Sequence, residues 1–308
     1  MPKLKLFLLM LFIPVVSYGQ RVETVYLNPN DSTANMYIAV IPEKVNSFLI
    51  LLDGYGNSPK GVLTQTNIPT YAAQQGILTI IPLLATGPSY FGSDIASQQS
   101  LKEIINLVVS KYQLQDKDFF IGGFAIGGTC AVKFAELAVQ ENFSTKPKAI
   151  FAINPILDWE RYYNGAKRVI RLSNNSQVNK EIFYMIERIE KEANGTPKTA
   201  LENYYNFSPY SFSDTTQKAV KNLINIPLMI ITEPEIQWWL EERGYDLSYN
   251  NITDHTGIIN ELQRLGNKNA VLVTTTNQGY RKPDNNKHPN SWSIADPVPL
   301  IKWLMAQE

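Results

Sequence analysis

The chain has 308 residues, of which 44% are hydrophobic and 18% charged, and its 28 Lys+Arg balance 28 Asp+Glu. That apolar content supplies a large core and excludes wholesale disorder, and the length fits one large domain with room for an insertion. No long run of one charge sign builds the positive field that a phosphate backbone requires, so nucleic acid is excluded as an expected partner.

In chain order, Lys3 and Lys5 precede an apolar run from Leu6 to Val16, followed by Ser17, Tyr18, Gly19 and Gln20. A basic start, a run shorter than the roughly 20 residues that span a bilayer, and small residues at its end predict a cleavable export signal over residues 1–19. The expected location is periplasmic or extracellular, with no stable membrane span after cleavage. The one cysteine is Cys130, so export is not used to form an intrachain disulfide and no cysteine-based metal site can assemble. Two histidines without a neighbouring carboxylate cluster make no metal-ligand set either. No cofactor is expected.

After this segment, Val22 to Leu27 and Met36 to Ile41 read as short strands separated by the turn-rich residues 28–32, an antiparallel start. Apolar runs of strand length then alternate with helical stretches: Phe48 to Leu52, Ile77 to Pro82, Phe119 to Gly123, Ala149 to Ile153, Leu228 to Ile231 and Val271 to Thr275. Such alternation predicts an α/β fold, a mostly parallel sheet covered by helices on both faces. Helices are expected through Tyr71 to Gln75, over the stretch whose apolar face includes Leu101, Ile104, Ile105, Val108 and Val109, and from about Ile294 to Met305. The alternation breaks between Pro155 and Ile226, where a helical cap insertion is expected over about 156–225, its best helix Lys180 to Ala193.

The sharpest local feature runs from Asp118 through Gly122, Gly123, Phe124, Ala125, Ile126, Gly127 and Gly128 into a helical stretch: strand, glycine-flanked turn, helix. Here the chain resembles the α/β-hydrolase family of serine esterases and peptidases, whose nucleophile elbow reads Gly-x-Ser-x-Gly in this same context. Gly123 and Gly127 stand where the two glycines belong, and Ala125 stands at the nucleophile position. A methyl group cannot attack a carbonyl. Thr129 and Cys130 lie on the helix leaving the elbow and are expected to point away from the site, Cys130 into the core.

Further landmarks of the resemblance follow in order. Asp53, Gly54, Tyr55 and Gly56 lie where the family's His-Gly-x-Gly type loop supplies an oxyanion amide, with Asp53 in place of the histidine; the implied donors are the amides of Tyr55 and Ile126. The acid belongs after the strand that ends near Ile231, where Glu235 is the first choice, with Glu233 and Asp246 as alternatives. The base belongs after the last strand, where His288 is the candidate. Family members often read His-Ser-Trp before the last helix, however, and here Asn290 precedes Ser291 and Trp292, so Asn290 is the other claimant to that position. Trp238, Trp239, Tyr245, Tyr249 and the tyrosines of 204–210 either line a pocket or pack the cap onto the sheet.

The resemblance implies an exported hydrolase-like protein. The preferred expectation is a non-catalytic descendant of a serine esterase or peptidase, keeping a pocket under the cap for a small-molecule or peptide ligand. Two alternatives stay open: an ester or peptide hydrolase using a non-standard site, and an engineered Ser-to-Ala form of an active esterase.

Overall fold

Eight strands form one sheet in a computed structural model that describes residues 19–28, 33–173 and 176–307. The export segment expected at 1–19 lies, except for its last residue, outside these. The strands are β1 (Arg21–Tyr26), β2 (Met36–Ile41), β3 (Ser47–Leu52), β4 (Ile77–Leu83), β5 (Asp118–Phe124), β6 (Ala149–Ile153), β7 (Leu228–Thr232) and β8 (Ala270–Thr274). Their order across the sheet is β1-β2-β4-β3-β5-β6-β7-β8. β2 pairs antiparallel with both β1 and β4, and every pairing from β4 to β8 is parallel.

The helices are α1 (Pro59–Gln65), α2 (Ile68–Gln74), α3 (Ile95–Tyr112), α4 (Ile126–Gln140), α5 (Trp159–Leu172), α6 (Ser176–Ala193), α7 (Pro197–Phe207), the single turn α8 (Ile236–Trp238), α9 (Ile252–Arg264) and α10 (Pro297–Met305). A two-strand hairpin, β9 (Tyr280–Arg281) with β10 (Asn286–Lys287), follows β8. Three helices, α5 to α7, occupy the stretch between β6 and β7.

Period-two alternation explains both faces. Phe48, Ile50 and Leu52 of β3 join a core with α3, α4 and α5, while Leu49 and Leu51 join one with α1, α2 and α10. Buried on both faces, the central strands read as continuous apolar runs, which is why they are visible in sequence. Helix ends are less visible. α3 starts six residues before Leu101 because Asp94 accepts the Ser97 amide at 2.9 Å as its N-cap. The last helix starts at Pro297 and not near Ile294, because Asp296 caps it and Trp292–Ile294 form a separate 3₁₀ turn.

From β3 the chain turns to β4 on one side, and later to β5 on the other. The loops at the carboxyl ends of β3 and β5 therefore flank a topological switch point, where open α/β sheets place their ligand crevice.

Candidate functional site

Ala125 alone makes the turn from β5 to α4, at φ 50° and ψ −119°. Its amide donates to the Ile153 carbonyl of β6 at 2.8 Å. For a residue with a Cβ this is a strained backbone, costing about 1–3 kcal/mol, and it persists only because the surroundings over-determine it. The flanking glycines show how. A Cβ on Gly123 would lie 2.5 Å from the Gly127 carbonyl carbon and 2.6 Å from the Leu52 oxygen, and one on Gly127 would lie 2.5 Å from the Asp53 oxygen. β3, β5 and α4 thus close on one another through hydrogen atoms alone.

The Ala125 methyl borders two cavities. The larger, about 460 Å³, is bounded by Asn154 and Ile156 after β6, Tyr162 of α5, and Trp239, Tyr245 and Tyr249 from the segment after β7. The smaller, about 310 Å³, is bounded by Asp53, Gly54, Tyr55, Phe124 and Trp292. Arg281 and Asn290 border both. The Tyr162 and Tyr249 hydroxyls meet at 2.7 Å, tying α5 to the segment after β7 over the larger cavity.

Glu233, directly after β7, is buried. Its Oε1 accepts the Gly279 amide at 2.9 Å, and its Oε2 accepts the Gln278 amide at 2.9 Å and the Thr275 hydroxyl at 3.0 Å. The carboxylate clamps the loop after β8. Glu235 accepts the Asn277 amide at 2.9 Å and lies 3.8 Å from Lys287. Asp246 sits in a surface turn, bonded to Ser248 and paired with Arg168 at 3.0 Å. None of the three carboxylates bonds to His288. That ring lies against Trp238 and Trp239, with centroids at 5.0 and 5.5 Å, and its Nδ1 accepts the Asn290 amide at 3.2 Å. Burial, then the charges of Arg281 and Arg243, hold the imidazole down to about 3. It is neutral at neutral pH, with the proton assigned to Nε2 by the bond at Nδ1. Asn290 also has a buried Oδ1 without a hydrogen-bond partner.

In the loop after β3, Asp53 Oδ1 accepts the Gly54 amide at 2.7 Å, the Asn57 side chain at 3.3 Å and the Trp292 indole at 3.0 Å. Its Oδ2 is buried without a partner, and burial pushes the carboxyl above the usual range against those three bonds. Tyr90 donates its hydroxyl to the Asp53 carbonyl. Tyr55, partly exposed, borders the smaller cavity beside Ala125, and the Ile126 amide opens α4, where a helix has no partner for its first N–H groups.

No protein-family model and no curated protein matches the sequence. Solved structures do match. Carboxyl esterase 2 from the mycorrhizal fungus Tuber melanosporum superposes with a TM-score of 0.58 at 12% identity, over 94% of this chain and 88% of that one. An S-formylglutathione hydrolase from Agrobacterium tumefaciens gives 0.56 at 11% identity, over 94% and 96%. A putative esterase from Staphylococcus aureus gives 0.52 at 13% identity, over 94% and 82%.

The chain has an α/β-hydrolase fold. Within that fold the remaining candidate residues fall away from the cavities. Cys130 is fully buried, and Thr129 donates to the Ile156 carbonyl at 2.6 Å. His255, on α9, is buried with Nε2 2.8 Å from the Pro155 carbonyl, and burial holds it down to about 4. Tyr204 and Tyr210 pack in the core. Trp239, Tyr245 and Tyr249 do line a pocket, whereas Trp238 packs on His288.

Nothing in the sequence marked Arg243 and Arg281 as residues of this α/β-hydrolase crevice. Both are exposed, Arg243 at the end of the helical turn Trp239–Arg243 and Arg281 on the two-residue strand β9, elements too short to leave a periodic signal. Among the described residues no three His, Cys, Asp or Glu side chains group closely enough to hold a metal ion, and no helix is long and apolar enough to cross a membrane.

Proposed function

We propose that this α/β-hydrolase-fold protein is a non-catalytic binding protein, descended from a serine esterase or peptidase and acting outside the cytoplasm. The observation that carries it is Ala125: a methyl group in the strained conformation of a nucleophile elbow, at the meeting of two cavities. Loss of a serine nucleophile costs on the order of 10⁶ in turnover.

The other machinery agrees. His288 has no carboxylate to orient it, and Glu233 spends its oxygens on the loop after β8. Asn290, which has no titrating group, stands beside Ala125 on both cavities. The amides of Tyr55 and Ile126 are the remnant of an oxyanion hole, now available to a bound ligand. The export reading rests on Lys3, Lys5 and the apolar run after them.

The test is hydrolysis of short and medium p-nitrophenyl acyl esters by the purified protein. The expected rate is that of buffer. Turnover that disappears in His288→Ala, with folding checked by circular dichroism, would overturn the proposal.

A further inference from the structure

The larger cavity carries more positive charge than its walls balance. Arg243, from the segment after β7, and Arg281, from β9, both border it. Neither guanidinium has an Asp or Glu within ion-pair distance among the described residues; Arg281 donates through Nε and Nη2 to the Asn290 carbonyl at 3.3 and 3.0 Å, and Arg243 lies over the Trp238 ring at 5.8 Å. Their charges are felt nearby: partial burial and then Arg243 push Arg281 down, and both arginines act on His288. The single carboxylate on this cavity, Glu181, is exposed and out of range of both.

The rest of the wall is amide and aromatic. Ala125 and Ile156 are its aliphatic members, so it offers no trough to an acyl chain. Asn154 spends its Oδ1 on the Thr232 hydroxyl at 3.1 Å, and Asn251 spends its Oδ1 on Arg161 at 2.9 Å, which turns their NH₂ groups into donors for ligand oxygens. Asn290 also borders the cavity, its Oδ1 buried without a partner. Trp239, Tyr245 and Tyr249 add flat surfaces. The volume, about 460 Å³, lies within the range of small-molecule sites.

We propose that this cavity binds a carboxylated sugar, its carboxylate between Arg243 and Arg281 and its hydroxyls on the asparagine amides. The guanidinium fork matches a carboxylate in plane and spacing, and an anion there relieves the repulsion between the two arginines. Amides beside aromatic faces suit a ring with apolar faces and hydroxyl edges. The inference rests on the non-catalytic reading, since Ala125 leaves the floor of the cavity without a group that could be acylated.

Isothermal titration calorimetry on the purified protein tests it, with D-galacturonate and its trimer as probes and D-galactose and benzoate as the neutral-sugar and plain-carboxylate arms. Galacturonate is expected to bind at least tenfold more tightly than either control, with affinity falling as salt rises. Arg243→Gln and Arg281→Gln are each expected to cost at least tenfold, and the two Arg→Lys variants, which keep the charge and lose the fork, to fall between. Among the described residues neither side chain belongs to the core or to an ion pair, so the variants are expected to keep the parent melting temperature within a few degrees.

Equal affinity for galactose, equal affinity for benzoate, unchanged affinity in both Gln variants, or no binding of either uronate at millimolar concentration each overturns the proposal. These failures leave the ester assay untouched: a protein that neither binds uronates nor hydrolyses esters is still non-catalytic, whereas ester turnover sinks that reading whatever the calorimetry shows.

Discussion

The Trp292 indole donates to Asp53 Oδ1 at 3.0 Å across 239 positions of chain, and so fixes the loop after β3 to the turn before α10. Phe124, next to Ala125, packs against the same indole at 5.4 Å between ring centroids. Trp292→Phe keeps an aromatic ring and removes the donor. It is expected to destabilise by about 1–2 kcal/mol, read from the urea midpoint, because a buried carboxylate loses one of its bonds. The Asp53 carboxyl, already raised by burial, is expected to rise further. An unchanged midpoint would mean that the bond contributes nothing.

Ala125→Gly removes the Cβ from a backbone at φ 50° and ψ −119°. Elsewhere such a change costs about 0.5–1 kcal/mol. Here the relief of strain is expected to outweigh that and raise the melting temperature. Gly127→Ala is expected to do the opposite and lose several kcal/mol, because its Cβ would meet the carbonyls of Leu52 and Asp53, which cannot move without disrupting β3. A lowered melting temperature in Ala125→Gly would show that the turn is not strained.

The two buried histidines set an acid limit. Their folded values, about 3 for His288 and about 4 for His255, lie below the ordinary 6.5. Depressed bases favour the neutral form in the fold, so their contribution is complete above 6.5 and is lost as pH falls toward 3. Asp158 runs the other way: burial and then Asp254 push it up, so its contribution is present at low pH and lost as pH rises through its folded value. Urea unfolding from pH 4 to 8 is expected to show a shallower acid limb in His288→Gln than in the parent. Identical limbs would contradict the neutral, buried imidazole.

Ala125→Ser alone is expected to stay within tenfold of the parent in p-nitrophenyl ester turnover, because a serine without an oriented base is nearly as poor as no serine. Adding Asn290→His places an imidazole on both cavities beside residue 125 and is expected to raise turnover at least ~10-fold above the single variant. Full activity in the single variant would reassign the base position to His288 as it stands.

Strand runs such as Phe48 to Leu52 and Phe119 to Gly123 were legible because burial on both faces leaves few polar residues in them, and the elbow was legible because Gly123 and Gly127 are dictated by backbone contacts at fixed spacing. Sequence position put Glu235 ahead of Glu233, with no physical signal to separate their roles. Two residues apart, they look alike until the loop after β8 folds back and delivers the Gln278 and Gly279 amides to Glu233.

The amino-acid sequence by itself determined the α/β alternation and the absence of a hydroxyl at position 125, since periodicity and residue identity are local properties. Only the tertiary structure decided that Arg243 and Arg281, from two short elements 38 positions apart, share one cavity with Asn290 and Ala125, and that His288 lies against two tryptophans without a carboxylate. Loops carry no periodic signal, and their side chains acquire partners only when the sheet brings its carboxyl ends together.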